Sequence, residues 1–123
     1  MNRLFLDDIR NPIDVFNHTC SCLLKISIVN YQEHWHIVRS YNDFTIWITQ
    51  NGLPDLISFD HDLGDYDSTD CTSEKTGYDC AKWLVEYCLD NNKVLPEFAV
   101  HSANPIGAEN IKGLLKSFIK SRN

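Results

Sequence analysis

Acidic side chains follow short apolar runs at two places in the sequence. Asp7 and Asp8 come directly after the run RLFL, and Asp60 and Asp62 follow the run LISF with one histidine between them. Short apolar runs that end at turn residues are typical of buried parallel strands. Neighbouring strands lie about 4.8 Å apart, so carboxylates gathered at adjacent strand ends repel one another unless they are protonated or neutralised by a cation. The pattern therefore predicts a divalent metal site that uses Asp7, Asp8, Asp60 and Asp62.

The ligand types indicate which metal this site would take. An oxygen-only ligand set favours Mg²⁺ or Mn²⁺ over Zn²⁺, and Mg²⁺ commonly completes its octahedron with water and phosphate oxygens. The acids therefore point to phosphate chemistry. The alternative is that they are ordinary solvated residues at strand ends.

Two histidines accompany the acids. His61 lies between Asp60 and Asp62, and His101 follows a further apolar run, FAV. An imidazole with a pKa near ~6.5 can donate or accept a proton at neutral pH, so one histidine could serve as general base and the other as general acid. The alternative for each is a buried histidine that is hydrogen-bonded to the backbone.

The segment HSANPIGAEN, residues 101–110, combines a hydroxyl, an amide and a proline that can open a helix. Free N–H groups at a helix start attract anions, so we expect Ser102, Asn104 and Gly107 to bind phosphate. Ordinary helix capping by Asn104 is the alternative. Arg10 and Arg39 are candidate phosphate clamps, with a surface salt bridge as the alternative for either.

The elements that must position these residues alternate along the chain. The pattern predicts an α/β protein, an open parallel sheet of about four strands in the order 2-1-3-4 with helices on both faces. In that order the ligand crevice lies between strands one and three, where the acids converge. Strands are predicted at 3–6, 34–40, 56–59 and 98–100, and helices at 41–52, 77–91 and from 105 onward. Residues 13–33 stay unassigned, and 64–75 form a predicted polar loop that could act as a lid.

Size and composition set further limits. A chain of 123 residues with 43% hydrophobic residues is typical of one domain, here 1–123. Its net charge of −6 argues against a general nucleic-acid coat protein. No apolar run approaches the ~20 residues that cross a bilayer. The five cysteines lack CxxC spacing, so we expect them to be reduced thiols. We expect a cytoplasmic protein without a membrane partner.

Five segments together resemble the family of cyclic-phosphate processing receiver domains: LFLDDIRNP, WHIVRSY, ISFDHDLG, TGYDCAKWL and HSANPIGAENI. The resemblance spans nearly the whole chain. Response-regulator receivers are the broader relatives, and the likeness implies that Asp7 and Asp8 match their metal-binding acid pair. It also implies that Asp60 matches the phosphoacceptor and Ser102 the switch hydroxyl.

The sequence departs from receivers in two ways. A receiver continues to a fifth strand with an essential lysine, whereas only one helix follows HSANPIGAENI here, so phosphoryl signalling through Asp60 is disfavoured. A receiver also needs no imidazole beside its phosphoacceptor. These departures favour a metal-dependent phosphoesterase that opens a cyclic phosphate on a nucleotide or RNA end. The alternative is a non-enzymatic module that binds a phosphorylated small molecule or protein partner.

In the enzyme hypothesis each candidate residue has a role. The catalytic residues are His61, His101 and Asp60. The ion is Mg²⁺ or Mn²⁺, and its ligands are Asp7, Asp8, Asp60 and Asp62. The residues that bind phosphate are Arg10, Ser102, Asn104 and Gly107.

Overall fold

The computed structural model describes residues 2–14, 34–61, 63, 75–102 and 104–121. Four parallel strands in these residues form one sheet in the order β2-β1-β3-β4, which confirms the predicted topology. The strands are β1 (Arg3–Leu6), β2 (His36–Val38), β3 (Leu56–Phe59) and β4 (Glu97–Val100). The second strand is shorter than the predicted 34–40, while the others match within one residue.

Within the described residues, three helices flank the sheet: α1 (Tyr41–Asn51), α2 (Gly77–Asp90) and α3 (Pro105–Ser121). Helix α1 ends at Gly52, whose φ of 85° lies in the left-handed region that favours glycine. Helix α2 begins with the predicted capping pair, since Thr76 and Asp79 satisfy each other's backbone N–H groups. Among the described helices, none is long and apolar enough to cross a membrane.

The main core lies between one face of the sheet and the three helices. Side chains alternate along a strand, so Leu4, Leu6, Ile57 and Phe59 share this face. Apolar residues of all three helices pack on it: Phe44, Ile48, Cys80, Ala81, Leu84, Cys88, Ile111, Leu115 and Phe118. The described helices therefore cover one face. The expectation of helices on both faces is not tested further, because most of the unassigned residues 13–33, and residues 64–74 of the predicted 64–75 loop, lie outside the described residues.

The register of the sheet places the functional candidates. Leu6, Phe59 and Val100 are the last residues of β1, β3 and β4, and they lie side by side. Backbone hydrogen bonds continue one residue further, with the Asp60 N–H bonded to the Leu6 carbonyl at 3.0 Å and the His101 N–H to the Phe59 carbonyl at 2.9 Å. The residues that follow these strands therefore form one row at the carboxyl edge.

The cap of α2 can be tested by substitution. Thr76→Ala removes the side chain that accepts the Asp79 N–H, and should lower the free energy of unfolding by about 1 kcal/mol. Thr49→Ala is the matched control, because Thr49 is exposed within α1 and alanine is the better helix former there. Urea unfolding of both variants measures the difference. Equal stability of the two variants would contradict the capping role.

Candidate functional site

Three buried side chains meet at the carboxyl edge of the sheet: Asp7 after β1, Asp60 after β3 and His101 after β4. Each offers one ligand atom, and these atoms lie within 4.8 Å of one another. The three form a group that could hold a metal ion. The sequence predicted that both acids would meet here as metal ligands. It placed His101 nearby as a proton-transfer group rather than as a ligand.

His101 is fixed from three sides. Its Nε2 lies 3.0 Å from Asp7 Oδ2, and its Nδ1 lies 2.6 Å from the hydroxyl of Ser58. The imidazole also stacks on the Phe5 ring, with centroids 4.5 Å apart and planes 6° from parallel. Because the hydroxyl of Ser58 can donate or accept, it can pair with either tautomer of the imidazole. Ser58 and Phe5 thus hold the ring against Asp7.

Sequence reasoning missed Ser58 and Phe5. The available signal was Ser58 itself, a hydroxyl within the apolar strand LISF, because a fully buried hydroxyl requires a hydrogen-bond partner. No comparable signal marked Phe5, which looks like any other core residue of β1.

A tight loop after β1 orients Asp7. Its Oδ1 accepts the N–H groups of Ile9 at 3.0 Å and Arg10 at 2.9 Å, as in an Asx turn. Arg39 holds the same loop from outside, since its guanidinium donates to the carbonyls of Asp7 at 3.2 Å and Arg10 at 2.6 Å. Arg39 therefore supports the loop in the described structure.

The other predicted phosphate clamp, Arg10, contacts the acids instead. Its Nε lies 2.9 Å from Asp7 Oδ2 and its Nη2 lies 3.5 Å from Asp60 Oδ1. The salt-bridge alternative thus describes Arg10 in this structure, and its partners are the two buried carboxylates of the site.

The carboxylates differ in how their surroundings affect ionisation. Burial acts to raise the pKa of Asp7, but hydrogen bonds from His101 and from the N–H groups of Arg10 and Ile9 hold that pKa well below its usual range. Burial, followed by the negative charge of Asp7, raises the pKa of Asp60. The same two causes raise the pKa of Asp8, which lies half-buried next to Asp7. A cation would relieve the repulsion that these raised values reflect.

Two glycines hold the Asp60–His61 segment by close approach. A Cβ on Gly77 would collide with the Asp60 carbonyl, and the Gly77 N–H donates to the His61 carbonyl at 2.7 Å. A Cβ on Gly107 would collide with the His61 ring, whose Cδ2 and Nδ1 would lie 2.6 and 2.7 Å away. The starts of α2 and α3 therefore position His61, which is partly exposed at the edge of the site.

The predicted phosphate-binding segment begins α3 as expected, and Asn104 caps that helix. Its Oδ1 accepts the Gly107 N–H at 3.0 Å, while the Ser102 hydroxyl oxygen accepts the Asn104 N–H at 3.0 Å. Capping therefore occupies the Gly107 N–H that we expected to face an anion.

Two further residues, Asp8 and Asp62, were predicted as metal ligands. Asp8 adjoins Asp7 but is not a member of the group of three. Asp62 lies outside the described residues. The catalytic roles of His61, His101 and Asp60, and the substrate-binding roles of Arg10, Ser102, Asn104 and Gly107, stay predictions.

The fold and the acidic edge define a receiver-like α/β protein. A family model, the cyclic-phosphate processing receiver domain, matches residues 2–117. The chain belongs to this family, as the sequence motifs suggested.

Comparison with solved structures supports the fold. One similar solved chain is a fusion, described as yeast Spc42 trimeric coiled-coil amino acids 181–211 fused to another structure. Its identity to this chain is 18% and the TM-score is 0.50. The match covers 92% of this chain and 59% of that one, and at this identity it concerns the fold alone. No curated protein matched the chain.

The donor set fits a divalent cation. Two carboxylates and an imidazole are ordinary ligands of first-row divalent metals, and all three are buried. The sequence predicted oxygen ligands alone, whereas this group adds an imidazole nitrogen. A ligand set with one nitrogen suits Mn²⁺ better than Mg²⁺.

Replacing Asp60 tests the repulsion within the site. A raised pKa means that Asp60 destabilises the folded protein when it is ionised, so Asp60→Asn should stabilise the metal-free protein at pH 7 by about 0.5–1 kcal/mol. The gain should disappear as the pH falls below 3.8, the ordinary pKa, because the carboxyl is then neutral in both folded and unfolded states. Thermal unfolding across pH measures this stability gain, and the variant Glu109→Gln is the control, because Glu109 is exposed. A loss of stability at pH 7 would contradict the repulsion.

Replacing Gly107 tests how His61 is held. Gly107→Ala should displace the imidazole and lower stability by about 1–3 kcal/mol through overpacking. Gly113→Ala is the matched control in the same helix, because its Cβ would meet no atom within 4 Å, and it should stabilise by about 0.5–1 kcal/mol. Imidazole ¹⁵N NMR should show a changed His61 only in Gly107→Ala. An unchanged His61 signal with increased stability would show that Gly107 does not position the ring.

Proposed function

We propose that this protein is a metal-dependent phosphoesterase that opens a cyclic phosphate on a nucleotide or an RNA end. The supporting observation is the buried group of Asp7, Asp60 and His101, with the partly exposed His61 beside it at the same sheet edge. Membership of the cyclic-phosphate processing receiver family supports the substrate class.

Asp7 and Asp60 would hold the ion, Mn²⁺ or Mg²⁺, with Asp8 and the His101 imidazole beside them. When bound, the ion supplies positive charge to phosphate oxygens and lowers the pKa of a water molecule. The protein fixes Asp7 through the Ile9 and Arg10 N–H groups, so this carboxylate keeps one orientation before any ion arrives.

Hydrolysis of a cyclic phosphodiester forms one P–O bond to water and breaks one P–O bond of the ring. One proton leaves the attacking water, and one proton must reach the departing ring oxygen. His61 is placed for such a transfer, because it is partly exposed and its ring is held by Gly107. The nearest ring atoms to Gly107 are Cγ, Cδ2 and Nδ1, so we assign the transfer to Nε2 on the far side.

His101 has a different setting from His61. Its side chain is 0% exposed, and its two nitrogens face Asp7 and Ser58. We therefore assign it first to holding Asp7, and a proton transfer by His101 requires a path through Asp7 or Ser58.

Phosphate oxygens would be bound at the start of α3. The Ser102 hydroxyl oxygen accepts the Asn104 N–H, and its own O–H can donate to an anion. This hydroxyl lies at the positive end of the helix dipole, which favours an anion.

One observation favours the alternative of a non-enzymatic binding module. Among the described histidines, His61 is the one partly exposed imidazole beside the acids, because His101 is buried, and ring opening needs two proton transfers. A module that binds a phosphorylated ligand needs none.

Turnover on a defined panel separates these functions. With Mn²⁺ or Mg²⁺, the protein should open cyclic mononucleotides, cyclic oligonucleotides or RNA 2′,3′-cyclic phosphate ends in preference to phosphomonoesters, as followed by phosphorus NMR. His61→Ala should lower the rate by about 10²–10⁴-fold with the fold intact. His34→Ala is the control, because His34 is an exposed histidine that precedes β2 at the opposite edge of the sheet. Tight binding of a cyclic phosphate without turnover would support the binding module instead.

A further inference from the structure

Arg10 lies across the two acids that would bind a metal ion. Its Nε is 2.9 Å from Asp7 Oδ2, and its Nη2 is 3.5 Å from Asp60 Oδ1. The Asp7 and Asp60 side chains are 1% and 7% exposed, so this guanidinium supplies one positive charge to two carboxylates that water barely reaches.

Every oxygen of Asp7 already has partners. Oδ1 accepts two backbone N–H groups, and Oδ2 faces both Arg10 Nε and His101 Nε2. A metal ion that binds Asp7 through Oδ2 therefore needs at least one of these two side chains to withdraw.

Arg10 is the side chain that can withdraw at lower cost. His101 has a fully buried ring held by Ser58 and Phe5, whereas the Arg10 side chain is 29% exposed. The backbone of Arg10 stays anchored without its guanidinium, because its N–H bonds Asp7 Oδ1 and its carbonyl accepts from Arg39. The guanidinium can thus leave without disturbing the loop that orients Asp7.

We infer that the Arg10 guanidinium is a built-in counter-cation that occupies the place of the divalent ion in the metal-free protein. Metal binding displaces it, and the released guanidinium then lies at the edge of the site, where it can pair with the oxygens of a phosphate. Metal binding therefore creates the cationic group that recognises the phosphate. This inference rests on the metal site of the proposed function, but it does not require hydrolysis.

The decisive comparison is Arg10→Gln against Arg3→Gln. Arg3 is the matched control, because it is an arginine at the start of β1, away from the acids, and its guanidinium donates to the His34 carbonyl at 3.4 Å. Without metal, Arg10→Gln should have a lower melting temperature than Arg3→Gln, since it leaves two buried carboxylates without their cation. Calorimetric titration with Mn²⁺ should show about tenfold tighter binding to Arg10→Gln than to wild type, or about 1.4 kcal/mol, because no guanidinium competes.

The same variants report on phosphate. With saturating Mn²⁺, inorganic phosphate should bind wild type and Arg3→Gln more tightly than Arg10→Gln, because only the first two carry a released guanidinium. Equal phosphate affinity in all three proteins would contradict the second role of Arg10.

A measurement on the wild-type protein keeps the inference testable if Arg10→Gln does not fold. The Nε–H signal of Arg10 in ¹⁵N NMR should move toward the position of a solvated arginine as diamagnetic Mg²⁺ is added. An unmoved signal at saturating Mg²⁺, or Mn²⁺ affinity in Arg10→Gln equal to or weaker than in wild type, would overturn the inference. Absence of metal binding to any of the proteins would instead contradict the metal site itself. Metal binding with Arg10 release but no turnover would contradict only the enzymatic proposal.

Discussion

The structure depends on how it neutralises two carboxylates at the ends of adjacent parallel strands. Asp7 and Asp60 follow β1 and β3, which pair in register, so the fold brings their charges together before any ligand is present. Burial removes the water that would screen them. The consequence is visible in the unequal pair, where the pKa of Asp7 is low and the pKa of Asp60 is raised by burial and by Asp7. The Arg10 guanidinium supplies positive charge to both carboxylates, and it is also the group through which the site would respond to a cation.

The surrounding residues make sense as supports for that arrangement. Ser58 and Phe5 hold the His101 imidazole from within the sheet, while Arg39 holds the loop that carries Asp7 and Arg10. Gly77 and Gly107 let the starts of two helices approach Asp60 and His61. A rigid scaffold of this kind suits phosphate chemistry, because charged groups that are already oriented need little reorganisation when a ligand binds.

Pattern reasoning could predict the sheet order and the meeting of Asp7 with Asp60, because both follow from apolar runs and from parallel topology. Pattern reasoning did not identify which neighbouring side chains contact Asp7 and Asp60. Strand alternation explains why the side chains of Asp7, Asp60 and His101 meet. Phe5, Ser58 and Ala99 are paired in register and share one face of the sheet. The residues two positions further along each strand direction, which are Asp7, Asp60 and His101, therefore lie on that face too. Asp8 is one residue out of phase, so it adjoins the group without entering it. The pairing of Arg10 with the acids depends on the shape of the loop after β1, which residue types alone do not specify.

The central claim is that Asp7 and Asp60, with His101 holding Asp7, form a cation site at the carboxyl edge of the sheet. Anomalous diffraction from crystals grown with Mn²⁺ tests it most directly, since it locates the ion independently of any activity. The account predicts one Mn²⁺ at bonding distance from oxygens of Asp7 and Asp60, with the Arg10 guanidinium turned away from both. Full Mn²⁺ occupancy elsewhere, with Arg10 still bridging the two carboxylates, would contradict it.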